Sequence, residues 1–157
     1  KADQYNEKFA GINFGVGLAL TFKHGKDRID SASVEGGVVR VNKEHNRQTK
    51  LMLETHYFFQ PFNNYKQVGV GPFLGIEPDS SGGSIIGAYA LGGMVGLKRE
   101  GETKASWNIG VGYVVTTDVT VLGDGIEEGK PLPAGETNVR LKEVNQPGWL
   151  IMTSFSW

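Results

Sequence analysis

Glu54 and His56 stand two residues apart in "LETHYF". Two residues is the repeat of a β-strand, so both side chains fall on one face. A carboxylate beside an imidazole can orient the ring or share its proton. Lys50 precedes them on the same alternation, and Glu35 and Arg40 flank the Gly36-Gly37 pair. Glu35, Arg40, Lys50, Glu54 and His56 form the candidate polar network. Its two lysine/arginine cations match its two carboxylates, as an enclosed set requires, because an unpaired buried charge is strongly destabilising. His56 is the group that could make such a network proton-sensitive.

Other chemistry has weaker support. Ser31 and Ser33 repeat at strand spacing and could place hydroxyls near His56. A nucleophile, however, needs its base within hydrogen-bond reach. No Gly-x-Ser-x-Gly elbow is present, so no catalytic residue is assigned. The chain has no cysteine and hence no thiol nucleophile or disulfide. "LGDGIEEGK", Leu122 to Lys130, gathers Asp124, Glu127 and Glu128 but lacks the alternating ligands of a calcium loop. It reads as a solvated acidic loop, and no metal or cofactor is expected. A net charge of −1 gives no nucleic-acid footprint.

The elements that must position these residues are strands. "AGINFGVGLALTF" is apolar at every second residue: Ala10, Ile12, Phe14, Val16, Leu18, Leu20, Phe22. The same period recurs along the chain, and no segment shows a convincing helical period. Eight strands are predicted, near 9–23, 28–35, 38–46, 48–60, 66–77, 85–98, 105–118 and 138–157. Gly36-Gly37 can adopt the positive φ angles of a two-residue hairpin turn. That turn would set Val34 beside Val39 and Ala32 beside Val41. Asn63-Asn64 and "REGETK" supply two further short turns. Pro72 interrupts a strand and predicts a local break. Residues 1–8 form an N-terminal segment and 118–137 a long acidic loop, within one domain of 157 residues.

The two faces of these strands differ in kind. Gly recurs on one face, as at Gly15, Gly17, Gly92, Gly96, Gly110 and Gly112. The other carries large apolar side chains with Tyr57, Tyr89, Trp107, Tyr113, Trp149, Phe155 and Trp157. A narrow barrel has room inside only for filling side chains. The bulky face should therefore point outward to lipid, with the aromatics in an interfacial girdle. Closure of the sheet would pair every backbone group, as lipid demands. The expected fold is all-β: a closed antiparallel up-and-down transmembrane β-barrel of eight strands.

In this alternation, and in the closing segment "WLIMTSFSW", the chain resembles the small eight-stranded outer-membrane β-barrels of Gram-negative bacteria. The resemblance implies a bacterial outer-membrane location, with a signal peptide removed before Lys1. It also implies recognition of Trp149–Trp157 by the barrel-assembly machinery, although the class usually ends in Phe. It supplies no activity. The expected role is structural or interactive, with a filled polar and Gly-rich lumen and loops free to meet a partner or lipid. An aromatic outer face also suits a homo-oligomer or larger membrane assembly. The alternatives are a narrow channel, a lipid-modifying barrel enzyme, or a soluble ligand-binding barrel with its apolar residues inside.

Overall fold

A computed structural model describes residues 11–44, 47–79, 85–98 and 105–157. The N-terminal segment 1–8, the "REGETK" turn and residues 45–46 of the third link lie outside them. Among the described residues eight strands are present: β1 (Gly11–Lys23), β2 (Arg28–Glu35), β3 (Val38–Glu44), β4 (Arg47–Phe58), β5 (Val68–Pro78), β6 (Ile86–Lys98), β7 (Ser106–Leu122) and β8 (Leu141–Ser156). They do not all join one sheet. Six close an antiparallel barrel in the order β1-β4-β5-β6-β7-β8, while β2 and β3 form a separate two-stranded sheet. This corrects the expectation of an eight-stranded wall.

The reason is visible in β1 and β4. They pair with each other over twelve residues, from Gly11↔Phe58 to Phe22↔Arg47, so the intervening chain has no place in the wall. The excluded strands are also short, at 8 and 7 residues. A tilted membrane-length strand needs ~9–11. Their hairpin nonetheless has the expected register, with Val34↔Val39, Ala32↔Val41 and Ser33↔Arg40. Gly36 and Gly37 turn it with φ of +61° and +79°. Closure comes from β1 against β8, from Gly15↔Ser156 to Lys23↔Gly148.

Pro72 leaves β5 in register with β6, opposite Gly93. The break it predicts falls on the other side. Pairing of β4 with β5 runs only from Leu53↔Ile76 to His56↔Phe73, then resumes at an isolated bridge, Phe59↔Val70. Phe59 and Val70 exchange both backbone bonds. In that alternation the next exchanging pair is Tyr57 and Pro72, where proline has no N–H to give.

The long acidic loop is shorter than expected. β7 runs on to Leu122 and pairs with β8 through Val119↔Val144 and Leu122↔Leu141, beyond a bulge between Thr116 and Val119. Asp118 sits in that bulge with φ +53°. Above it, Leu122 and Ile126 pack on Ile29 and Val39 of the hairpin, with Ala32, Val41, Leu132 and Val139 around them. Gly129 N–H donates to Val39 O, and Val39 N–H to Lys130 O, so the loop extends the β3 edge. The hairpin and this loop form a cap with its own small core.

Candidate functional site: the barrel interior and its cap

The alternation sorts the barrel strands as read from the sequence. Tyr57, Tyr89, Trp107, Tyr113, Trp149, Phe155 and Trp157 are all exposed on the outside. Leu18, Leu53, Leu74, Leu91, Ile109, Val111 and Ile151 lie exposed among them. Tyr113 and Trp149, paired across β7 and β8, meet edge to face at 5.9 Å. At this end Tyr89 joins them. Tyr57, Phe59, Trp107, Phe155 and Trp157 crowd the other end, where the chain finishes.

The interior is filled, and its middle is apolar. Met52, Phe58, Phe73, Met94, Leu150 and Met152 pack there with Ala19, Ala88, Ala90 and Val114. The glycines leave the space these groups occupy. A Cβ on Gly15 would stand 2.2 Å from Glu54 Oε1, and one on Gly96 would stand 2.2 Å from Phe58 Cε2. At Gly15, Gly96 and Gly110 glycine is thus the complement of a large inward side chain, while at Gly17, Gly71, Gly112 and Gly148 a Cβ would meet the backbone of the neighbouring strand.

A polar chain occupies the layer nearer the chain ends. Ser106 Oγ donates to Asn108 Oδ1 at 2.7 Å and lies 2.6 Å from Ser156 Oγ. Asn108 Nδ2 donates to Ser154 Oγ at 3.1 Å and Ser156 Oγ at 3.2 Å. Ser154 Oγ donates to Glu54 Oε1 at 2.8 Å, and Glu54 Oε2 lies 2.8 Å from His56 Nδ1. The His56 ring stacks on Phe58 with centroids 4.0 Å apart. Among the described residues His56 Nε2 has no hydrogen-bond partner. The carboxylate takes both the hydroxyl and the imidazole, and among the described residues no hydrogen bond joins His56 to Ser154. Both side chains of the Glu54–His56 pair are sealed from solvent. The arrangement holds strands together; it does not present an activated nucleophile.

At the opposite, capped end Lys50 Nζ lies 2.6 Å from Glu77 Oε1, both side chains largely buried. Lys23 Nζ donates to Gln48 Oε1 at 3.3 Å. Lys50, Glu54 and His56 therefore lie inside the barrel, as read from the alternation. Glu35 and Arg40 do not. Both are exposed on the β2–β3 hairpin, where Glu35 accepts a hydrogen bond from Ser33 Oγ at 3.1 Å. Two separate polar groups stand in place of the one network: Lys50 with Glu77 at the capped end, and Glu54 and His56 with Ser154, Asn108, Ser156 and Ser106 at the other. Glu77 shares its period-two face with Phe73 and Gly75, which was the available signal. What the alternation lacks is the register that sets Glu77 beside Lys50.

The cap has its own electrostatics. Three acidic residues of the loop each take a separate lysine: Asp124 with Lys142 at 2.5 Å, Glu127 with Lys130, and Glu128 with Lys43 at 2.6 Å. Lys142 beside Asp124 holds its carboxyl below the usual range, and Lys130 does the same for Glu127. Glu128 holds the Lys43 ammonium above its ordinary value, and Glu136 does so for Arg140. Each carboxylate is thus neutralised by a cation of the chain itself. Comparison with family models, curated proteins and solved structures finds no match to this chain.

Proposed function

We propose that the chain is a membrane-spanning β-barrel of the bacterial outer-membrane kind, with a plugged interior and a structural or interaction role. One observation carries this reading. The closed wall turns most of its large apolar side chains outward, around an interior of glycine, buried polar groups and a small apolar middle. Water penalises such an exterior, whereas hydrocarbon favours it. The aromatic residues gather toward the two ends of the wall, as side chains with an apolar body and a polar tip do at membrane interfaces. From Trp149 to Trp157 the chain advances ~27 Å along its own direction. At the ~40° tilt of barrel strands this is ~20 Å of height, close to an outer-membrane apolar band.

Six strands and a packed core favour an anchor and display scaffold over a pore. The cap would then stand outside the bilayer and meet the partner. β8, which closes the wall against β1, would be the strand offered to the assembly machinery. The outer face would also be available for packing against a second copy.

The test is electrophoretic mobility in SDS, boiled and unboiled. A closed membrane barrel stays folded until heated and runs at two positions. A single position, with full solubility in plain buffer, would replace this reading with a soluble barrel.

A further inference from the structure

The cap is built on a two-stranded sheet whose two edges differ. On the β3 side Val39 N–H donates to Lys130 O and Gly129 N–H to Val39 O, so the loop covers that edge. The β2 side has no such cover. Among the described residues no backbone hydrogen bond from outside the hairpin reaches it. Ile29, near its start, is buried in the cap core, but from Asp30 to Glu35 every residue except half-buried Ala32 is exposed. An open edge is a template for another strand.

The hairpin register tells which groups that edge offers. Val39 turns its N–H and C=O away from β2, toward the loop. Val34 stands opposite Val39, and Ala32 opposite Val41. Opposed residues of an antiparallel ladder turn their backbone groups alike, both toward each other or both away. Val34 and Ala32 therefore turn theirs to the open side.

The side chains narrow the partner. The register shifts between Ile29 and Ser31, with Asp30 as the extra residue. That bulge puts Arg28 on the same face as Ser31, Ser33 and Glu35. Ser33, Val34 and Glu35 run one way along the ladder from Ala32; Ser31, Ile29 and Arg28 run the other. Arg28 and Glu35 are thus equidistant from Ala32. A second β2, laid antiparallel about a two-fold axis at Ala32, meets the first like for like. Ala32 faces Ala32, Ser31 faces Ser33, Ile29 faces Val34, and Arg28 faces Glu35 at both ends. Each cation meets a carboxylate, so the edge is complementary in charge to itself.

We infer that the open edge of β2 pairs with β2 of a second copy, centred on Ala32, and joins two caps into one four-stranded sheet. A two-stranded sheet is marginal alone, and added strands stabilise it. This contact lies on the cap, apart from the outer wall, and does not rest on the membrane reading.

Sedimentation velocity of the full chain tests this, in detergent micelles if the chain needs them. A small edge contact is weak, so the chain is taken to ~100 μM, where a dimer should form. Arg28→Glu and Glu35→Arg should each weaken it about tenfold, since like charges then oppose each other at both ends. The double variant should restore it. Within one copy the two residues stand ~20 Å apart along β2, so restoration requires contact between copies. Arg28→Glu also faces Glu44 across the hairpin, a conflict that the second substitution does not relieve. Ala32→Pro removes the two central bonds without taking one from the hairpin, and should abolish the dimer. Circular dichroism verifies the fold of each variant; if Ala32→Pro does not fold, the charge variants decide alone. A chain that stays monomeric at this concentration would overturn the inference. So would a dimer that folded Ala32→Pro leaves intact, which would run through the wall, or a double variant as weak as the single ones.

Discussion

Gly96 and Phe58 occupy one site between them: a methyl group at 96 would lie 2.2 Å from Phe58 Cε2. Phe58 is almost wholly buried and stacks on His56, so its ring has little freedom to withdraw. Gly96→Ala should therefore destabilise the barrel by about 1–3 kcal/mol through overpacking. Adding Phe58→Leu to Gly96→Ala should recover part of that loss, though Phe58→Leu alone is destabilising. Denaturant unfolding of the two single variants and the double variant measures the coupling.

Glu54 accepts from Ser154 and faces His56 in the sealed interior. Glu54→Leu leaves both partners without it and should cost about 3–5 kcal/mol. Glu54→Gln keeps an oxygen for Ser154 and should cost less. Equal losses in equilibrium unfolding would mean that the pair contributes packing alone.

Val111 sits mid-strand on the outside, opposite Ile151 on β8. In a bilayer, Val111→Arg should cost about 2–4 kcal/mol. Unfolding from lipid vesicles measures this. An unchanged stability would show that this face does not lie in hydrocarbon.

The seam between β4 and β5 should open first. Its ladder has four consecutive pairs and one bridge, against eleven pairs between β5 and β6. Lys50 and Glu77 form an ion pair across it at the capped end. Amide exchange should be fastest along this seam, and Lys50→Met should accelerate it there more than elsewhere in the wall. Uniform exchange around the barrel would contradict this.

The cap should loosen in acid while the barrel persists. Asp124 and Glu127 have carboxyls lowered by Lys142 and Lys130. A lowered carboxyl contributes stability that is full above its unfolded value and fades as pH falls through the folded one. Lys43 and Arg140 are raised, so their contribution is full below the unfolded value and is lost only in strong alkali. Between these limits the cap keeps its ion pairs. Exchange of the Val39 and Gly129 amides, which join loop to hairpin, should rise below the ordinary carboxylate range. No change there would place the stability of the cap in its apolar core.

Strand positions and facing were legible because the period of two runs through every barrel segment. The hairpin register was legible because Gly36-Gly37 marks a two-residue turn between two matching alternations. Strand membership was not. Alternation says that β2 and β3 are strands, while the pairing of β1 with β4 decides that they leave the wall. Their short length and lack of any aromatic residue were the signals available. Glu35 and Arg40 went with them, so two of the five candidate network residues lie on the cap. Glu77 and the serine–asparagine chain required the closed register, because their partners come from strands far apart in sequence.

The bulge at Asp118 gives β7 two phases. Before it, even-numbered residues such as Val114 and Thr116 face the interior; after it, odd-numbered Val119 and Val121 are buried, while even-numbered Leu122 is buried in the cap core. Two residues on β7 there oppose one on β8, which shifts the alternation by a single step. The barrel wall and the cap are thus two messages written in one strand in different reading frames. Each can drift in sequence without disturbing the parity of the other, provided the extra residue stays. Deleting it would leave the wall intact and turn the cap's side of the ribbon inside out.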